Sequence, residues 1–196
     1  MSRKRAIENV AIELLLEKGV SASINEIIQE AGISKGGFYH YFNSKHQLLK
    51  ESIEKYFQHQ WKLIDEIAQS QKSYIQKIED LIDALFDPYK KASQQSEPGK
   101  QKNYLSLVNE YIKIPELANR YYQFHNAVRD AIAKVLHDNR NNIKIPDRQN
   151  VSEISNQIIY LSEGILFYSL LSDVGDVLHR SKQEVRNYLK IITGKE

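Results

Sequence analysis

The chain contains no cysteine. Disulfides, thiolate metal sites and cysteine nucleophiles are therefore excluded, and a reducing, cytoplasmic setting is expected. No apolar run is long enough to cross a bilayer. The most apolar stretch, 158–171, contains Glu163 and falls short of the roughly 20 residues a spanning helix needs. The first residues, Met1-Ser2-Arg3-Lys4-Arg5, lead into an apolar pattern broken by Glu8 and Glu13, without the unbroken stretch of a secretory signal. Alternating apolar and polar runs bounded by turn residues are also missing, so no strand is expected. There is no internal repeat, no phosphate-cradling glycine loop and no serine nucleophile elbow. The six histidines (His40, His46, His59, His125, His137, His179) form no His-x-x-x-His or Glu-x-x-His pair. A metal centre, a cofactor and an enzymatic activity are accordingly not expected.

Neither charge sign dominates. Net charge is +2, yet its distribution is uneven. Residues 1–50 hold seven Lys/Arg against five Glu, 7 − 5 = +2, while the remainder is balanced. The excess sits in the N-terminal quarter, the side of the molecule suited to an anionic partner. Across 196 residues, 41% hydrophobic and 27% charged, a 3.6-residue periodicity recurs. Ile7, Val10, Ala11, Leu14 and Leu15 share one helical face that ends at Gly19. Ser23 with Glu26 three residues later reads as a capping box. The helix it starts turns Ile24, Ile27, Ile28 and Ala31 inward. Ser44 starts a long fourth helix to about Ala68. Further helices are expected at 73–93, 101–112, 115–140, 150–173 and 181–193, about nine in all. The breaks are polar: Ser93–Gln101 with Pro98-Gly99, the Asn-rich 139–146, and Gly175 to Ser181.

The stretch "SKGGFYHYF", Ser34 to Phe42, places two glycines and then a run of rings in one short helix. With "AGIS" (Ala31 to Ser34) before it, the pattern is a helix-turn-helix, with Gly32 free to take a positive φ and Ile33 filling the angle. The second helix of such a pair enters a DNA major groove. Gly36 and Gly37, without side chains, allow its backbone close to the duplex. Phe38 and Phe42, four apart, belong to the core. Tyr39, His40 and Tyr41 remain for phosphate, sugar or base contacts, and Lys35 and Lys45 for phosphate neutralisation. The region 7–49, centred on "INEIIQEAGISKGGFYHYFNSKHQLL", resembles the DNA-binding domain of the TetR family of bacterial transcriptional regulators. The resemblance covers about the first quarter of the chain. It implies an all-α protein with a three-helix helix-turn-helix domain (1–47) and a helical effector-binding and dimerisation domain (48–196). It also implies Tyr39 and Tyr41 on phosphates, His40 on bases, Ser34, Lys35, Gly36 and Gly37 at the groove, and Lys45 on phosphate. The implied partners are an operator in double-stranded DNA, a small organic effector and a second copy of the chain. The expected action is that of a repressor released by its ligand, with an activator or a regulator without an effector as the alternative.

The rest of the chain holds ten of its twelve tyrosines. Rings with polar tips suit an organic ligand. Trp61, Tyr104, Tyr111, Tyr122, Tyr160 and Phe167, with the acids Glu110 and Glu163, are the expected lining. Glu163 lies in "IIYLSEGILFYSLL", where an unpaired carboxylate is costly to bury. It is open to pairing with an arginine, to exposure, to a dimer seam or to a cationic ligand, for which the rings would add cation–π contacts. Two stripes, Ile154/Ile158/Leu161/Ile165 and Val185/Tyr188/Leu189/Ile192, suggest a dimer through the last two helices.

Overall fold

A computed structural model describes residues 2–18, 21–87, 89–90, 115–143, 145, 150–172 and 176–193. Among these, every regular element is a helix and no strand occurs. The helices are α1 (Arg3–Lys18), α2 (Ile24–Glu30), α3 (Lys35–Tyr41), α4 (Lys45–Gln69), α5 (Tyr74–Leu85), α6 (Pro115–Asp138), α7 (Arg140–Ile143), α8 (Val151–Ser172) and α9 (Val177–Thr193). The expected helix at 101–112 and the expected C-cap at Gly19 lie outside the described residues. The chain forms two compact units: Met1–His59 with Pro88–Tyr121, and Gln60–Asp87 with Tyr122–Glu196. Both α4 and α6 contribute residues to each unit.

In the first unit, α1, α2 and α3 close around Ile7, Ala11, Leu14, Ile27, Phe38, Phe42 and Leu48, all buried. The capping box at the start of α2 is complete. Ser23 Oγ accepts the Glu26 N–H, and the Glu26 carboxylate accepts the Ser23 N–H at 2.7 Å. These bonds, with Lys18 at 2.9 Å, hold the Glu26 carboxyl at about 2, well below its usual range. Helix α2 ends in a Schellman turn: Ile33 N–H donates to Ile28 O and Gly32 N–H to Gln29 O. Gly32 takes φ +62°, the left-handed conformation glycine adopts without strain.

Among the described residues, one charged group lies inside this small core. Glu8 is 2% exposed, and its carboxylate accepts two bonds from Lys55 of α4, one of 2.6 Å. Lys4 bonds Glu51 of α4 at 2.7 Å, and Arg120 of α6 bonds Glu54 at 2.8 Å. Three ion pairs therefore fasten the first half of α4 within this unit. The sequence pattern treats Glu8 as an interruption of the apolar face; the structure makes it a buried anchor, because Lys55 reaches it from 47 residues away.

In the second unit, α8 and α9 pack along their lengths and α9 also packs on α5. Ser155, Ser162, Ser169 and Ser181 are buried, and such small side chains let the helices come close. Lys182 bonds Asp83 at 2.6 Å, and Arg186 bonds Glu79, tying α9 to α5. Helix α9 begins four residues before the sequence suggests. Asp176 accepts the His179 N–H at 3.1 Å and so caps the helix, leaving Ser181 inside it and fully buried. Helix α5 ends at Leu85, where Phe86 turns into the core, and α6 stops at Asp138 before the short α7. The stripes expected at a dimer seam are partly interior. Ile154, Ile158, Val185 and Leu189 are at most 2% exposed, because they are the residues with which these helices pack inside their own chain.

Removing Lys55 leaves the buried Glu8 carboxylate without its cation. Lys55→Ala is expected to lower stability by about 1–3 kcal/mol, and Glu8→Leu with Lys55→Met to restore most of it. Urea unfolding checks both; a neutral Lys55→Ala would show that the pair is not an anchor.

Candidate functional site

Helix α3 has seven residues, too few to hold itself together, and two of them are glycine. The glycines cost roughly 1–2 kcal/mol in helix propensity. Burying Phe38 and Phe42, at 0% and 1% exposure, returns about 1.5–3 kcal/mol each. The packing term wins, and the helix stands. Ser34 Oγ accepts the Gly37 N–H at 3.0 Å to start it, and Phe42 N–H donates to Phe38 O at its end.

With the phenylalanines turned inward, Lys35, Gly36, Tyr39 and His40 form the outer face, 35 above 39 and 36 above 40. Tyr39 is 46% exposed, its ring edge-on to Phe38. Tyr41 differs from its neighbours: its ring is half-buried against the core and edge-on to His40. Ser34 is exposed beside this face, and Lys45 is half-buried in the first turn of α4, which Ser44 caps.

The two glycines are not equivalent. A Cβ at Gly37 would stand 3.3 Å from Ser34 Oγ, crowding the cap. A Cβ at Gly36 meets nothing closer than 4.0 Å, and its φ is not positive. The fold therefore has room for a side chain at position 36 and gains nothing from its absence.

In the second unit, Glu163 of α8 meets His125 of α6, Oε1 to Nδ1 at 3.7 Å. Glu163 keeps 32% of its side-chain surface, but Oε1 itself is buried and makes no hydrogen bond. Burial raises the Glu163 carboxyl to about 7 and lowers the His125 imidazole to about 4. The separation is within ion-pair range, yet desolvation favours the neutral form of each partner, and it dominates here. Near pH 6 the pair is a carboxylic acid beside a neutral imidazole. His125 was not among the expected site residues; it and Glu163 come from different helices, 38 positions apart, which no local pattern reveals.

The other expected ligand residues divide. Tyr104, Glu110 and Tyr111 lie outside the described residues. Trp61 is half-buried on α4. Tyr122, Tyr160 and Phe167 are 64%, 70% and 57% exposed. On α8 the cause is helical phase: Tyr160 and Phe167 lie on the face opposite Ile158, Ser162 and Leu166. Tyr160, Gly164, Phe167, Tyr168 and Leu171 make an exposed stripe without a charge. Among the described residues, no group of three or more His, Asp or Glu could hold a metal ion, and no helix is long and apolar enough to cross a membrane.

The pH dependence follows from the two shifts. Between pH 4.5 and about 7 the unfolded chain loses the Glu163 proton while the folded chain keeps it, so this group's contribution to stability is lost as pH rises to about 7. His125 acts the other way, losing stability as pH falls from 6.5 to about 4. Glu163→Gln removes only the first slope. Its urea midpoint, compared with wild type, is expected to gain as pH is raised from 5 to 8; an unchanged difference would contradict the burial of this carboxyl.

Residues 7–52 match the model for bacterial regulatory proteins of the tetR family. The uncharacterized HTH-type transcriptional regulator YvdT of Bacillus subtilis (strain 168) is 35% identical over 81 residues, 41% of this chain and 42% of that protein. Matches to curated relatives thus span about a fifth to two-fifths of their lengths. A TetR transcription regulator from Haloarcula marismortui superposes with a TM-score of 0.75 over 97% of both chains at 16% identity. A transcriptional regulator from Saccharomonospora viridis, solved in complex with choline, gives 0.73 over 95% of both at 16% identity. The head matches the tetR-family model in sequence over residues 7–52, and the whole chain shares the fold of solved TetR-family regulators.

Proposed function

We propose that this chain is a repressor that binds a palindromic DNA operator as a homodimer and leaves it when a small organic effector binds. The observation that carries the reading is the outer face of α3. Lys35, Tyr39 and His40 project outward around Gly36, a position where the fold has room for a side chain and carries none. In this reading Tyr39 donates to phosphate, Lys35 and His40 meet base edges, and Ser34 and Lys45 contact the backbone. Gly36 and Gly37 bring the helix backbone close. Tyr41, half-buried, offers its hydroxyl rather than its ring. With no side chain at either glycine, discrimination leans on Lys35, His40 and the shape of the duplex.

A second copy covers the uncharged stripe on α8, with Gly164 at the crossing. An added Cβ at Gly164 meets nothing within 4 Å, so a partner helix can approach there. A two-fold pairing of one surface with itself is the commonest dimer geometry. Operator binding by such a dimer requires its two α3 helices to stand about 34–36 Å apart, one turn of DNA. The effector enters the second unit, where Glu163 and His125 supply the polar groups and Trp61 supplies a ring. A lipophilic cation suits Glu163, whose proton it would displace, and a neighbour of the same fold is solved with choline, a small organic cation. Because α4 runs through both units, its movement on effector binding would alter the spacing of the two heads. A coupling of roughly 1–3 kcal/mol is enough for a strong response.

Two outcomes test this reading. Tyr39→Ala/His40→Ala should abolish binding to duplexes from the flanks of the chain's own gene without lowering the thermal midpoint, and Gly36→Ala should weaken binding while leaving stability equal or up to about 1 kcal/mol higher. Binding equal to wild type in both variants would contradict the assignment of this face. For the dimer, Phe167→Glu/Leu171→Glu should give a monomer by light scattering; a dimer unchanged by the substitutions would move the seam elsewhere.

A further inference from the structure

The structure sorts the basic residues of the N-terminal quarter into two groups. Lys4 is held by Glu51 at 2.7 Å and Lys18 by Glu26 at 2.9 Å. Arg3 and Arg5 are exposed and have no carboxylate partner among the described residues. Both stand in the first turn of α1, which contains no acidic residue. Cations are unfavourable there, at the positive end of the helix dipole. Two guanidiniums without partners, where the helix itself disfavours them, are unexplained by anything inside the chain.

Their position is set by Lys4 between them. Its Nζ bonds Glu51 of α4 and lies 5.2 Å from the ring of Phe42, the residue that ends α3. The first turn of α1 is thereby pinned beside the exit of α3, and Arg3 and Arg5 flank that pin. The backbone at this end is already engaged: Arg5 N–H donates to Ser2 Oγ. What is offered outward is a pair of long, planar, permanently charged side chains, the groups that suit phosphate oxygens in a bidentate manner.

We infer that Arg3 and Arg5 form a second grip on DNA, binding backbone phosphates beside the groove that α3 enters. The inference rests on the reading of α3 as a DNA-binding helix and extends the contact surface to α1, outside the helix-turn-helix. Phosphate contacts of this kind hold register and carry no base preference.

The test uses the full chain and the duplex it enriches most from a random-sequence pool. Affinity is measured by fluorescence anisotropy at several salt concentrations for wild type, for Arg3→Ala/Arg5→Ala, and for Lys62→Ala/Lys134→Ala, which removes equal charge from the second unit. Each lost phosphate contact lowers the steepness of log affinity against log salt by about 1. A dimer presents the pair twice, four arginines per duplex, so the arm variant should lose about 4 from the slope, and wild type's advantage over it should shrink about a hundredfold between about 50 and about 200 mM salt. Its sequence preference and thermal midpoint should match wild type, since neither arginine supports the fold. A slope equal to that of the charge-matched control overturns the inference and leaves the α3 reading standing. If wild type enriches no duplex at all, that reading fails first and this one with it.

Discussion

The architecture of the head depends on the burial of Phe38 and Phe42. A seven-residue helix with two glycines has no independent reason to exist in water. The two rings, seated among Ile7, Ile27 and Leu48, fix both its phase and its angle. Once they point inward, the phase of the remaining residues is determined, and Lys35, Gly36, Tyr39 and His40 must face out. The Schellman turn at Gly32 sets where α3 starts, and the Glu8–Lys55 and Lys4–Glu51 pairs hold α1 to α4 behind it. The exposed face is thus a consequence of the core, with its geometry preset before any partner arrives.

The second unit keeps an opposite feature inside. Glu163 and His125 are two ionisable groups in a poorly hydrated place, each pushed towards neutrality by burial. A well-packed helical domain gains nothing from them, since apolar side chains of similar size would be at least as stable. Their presence is explained if something else completes the site. Nearby helices reinforce the contrast, with α5 and α9 joined by conventional surface ion pairs that raise no such question.

Much of the head was legible in the residues alone, because its signals are local. Ser23 with Glu26, Gly32 after Ala31, Ser34 before the glycines, and Phe38 four before Phe42 each act within one or two turns. What escaped was whatever depends on distant partners. Glu8 looks like a break in an apolar face until Lys55 is seen to reach it. His125 looks like any helical histidine until α8 brings Glu163 beside it. Asp176 as a helix cap was missed because Gly175 and Ser181 gave a stronger local signal of interruption. The outward place of the α8 rings is illegible for a related reason: periodicity shows that Tyr160 and Phe167 share a stripe, but not which stripe faces inward. Serines at 155, 162 and 169 take the interior side, and the large rings take the outside.

The central claim is that the outer face of α3 reads DNA in pairs, and selection from a random duplex pool by the full chain tests it most directly. The account predicts enrichment of a two-fold symmetric site whose half-sites are centred about one helical turn, roughly 10 base pairs, apart, and no enrichment by Tyr39→Ala/His40→Ala. Failure of the wild-type chain to enrich any sequence, or enrichment of the same site by the double variant, would contradict it.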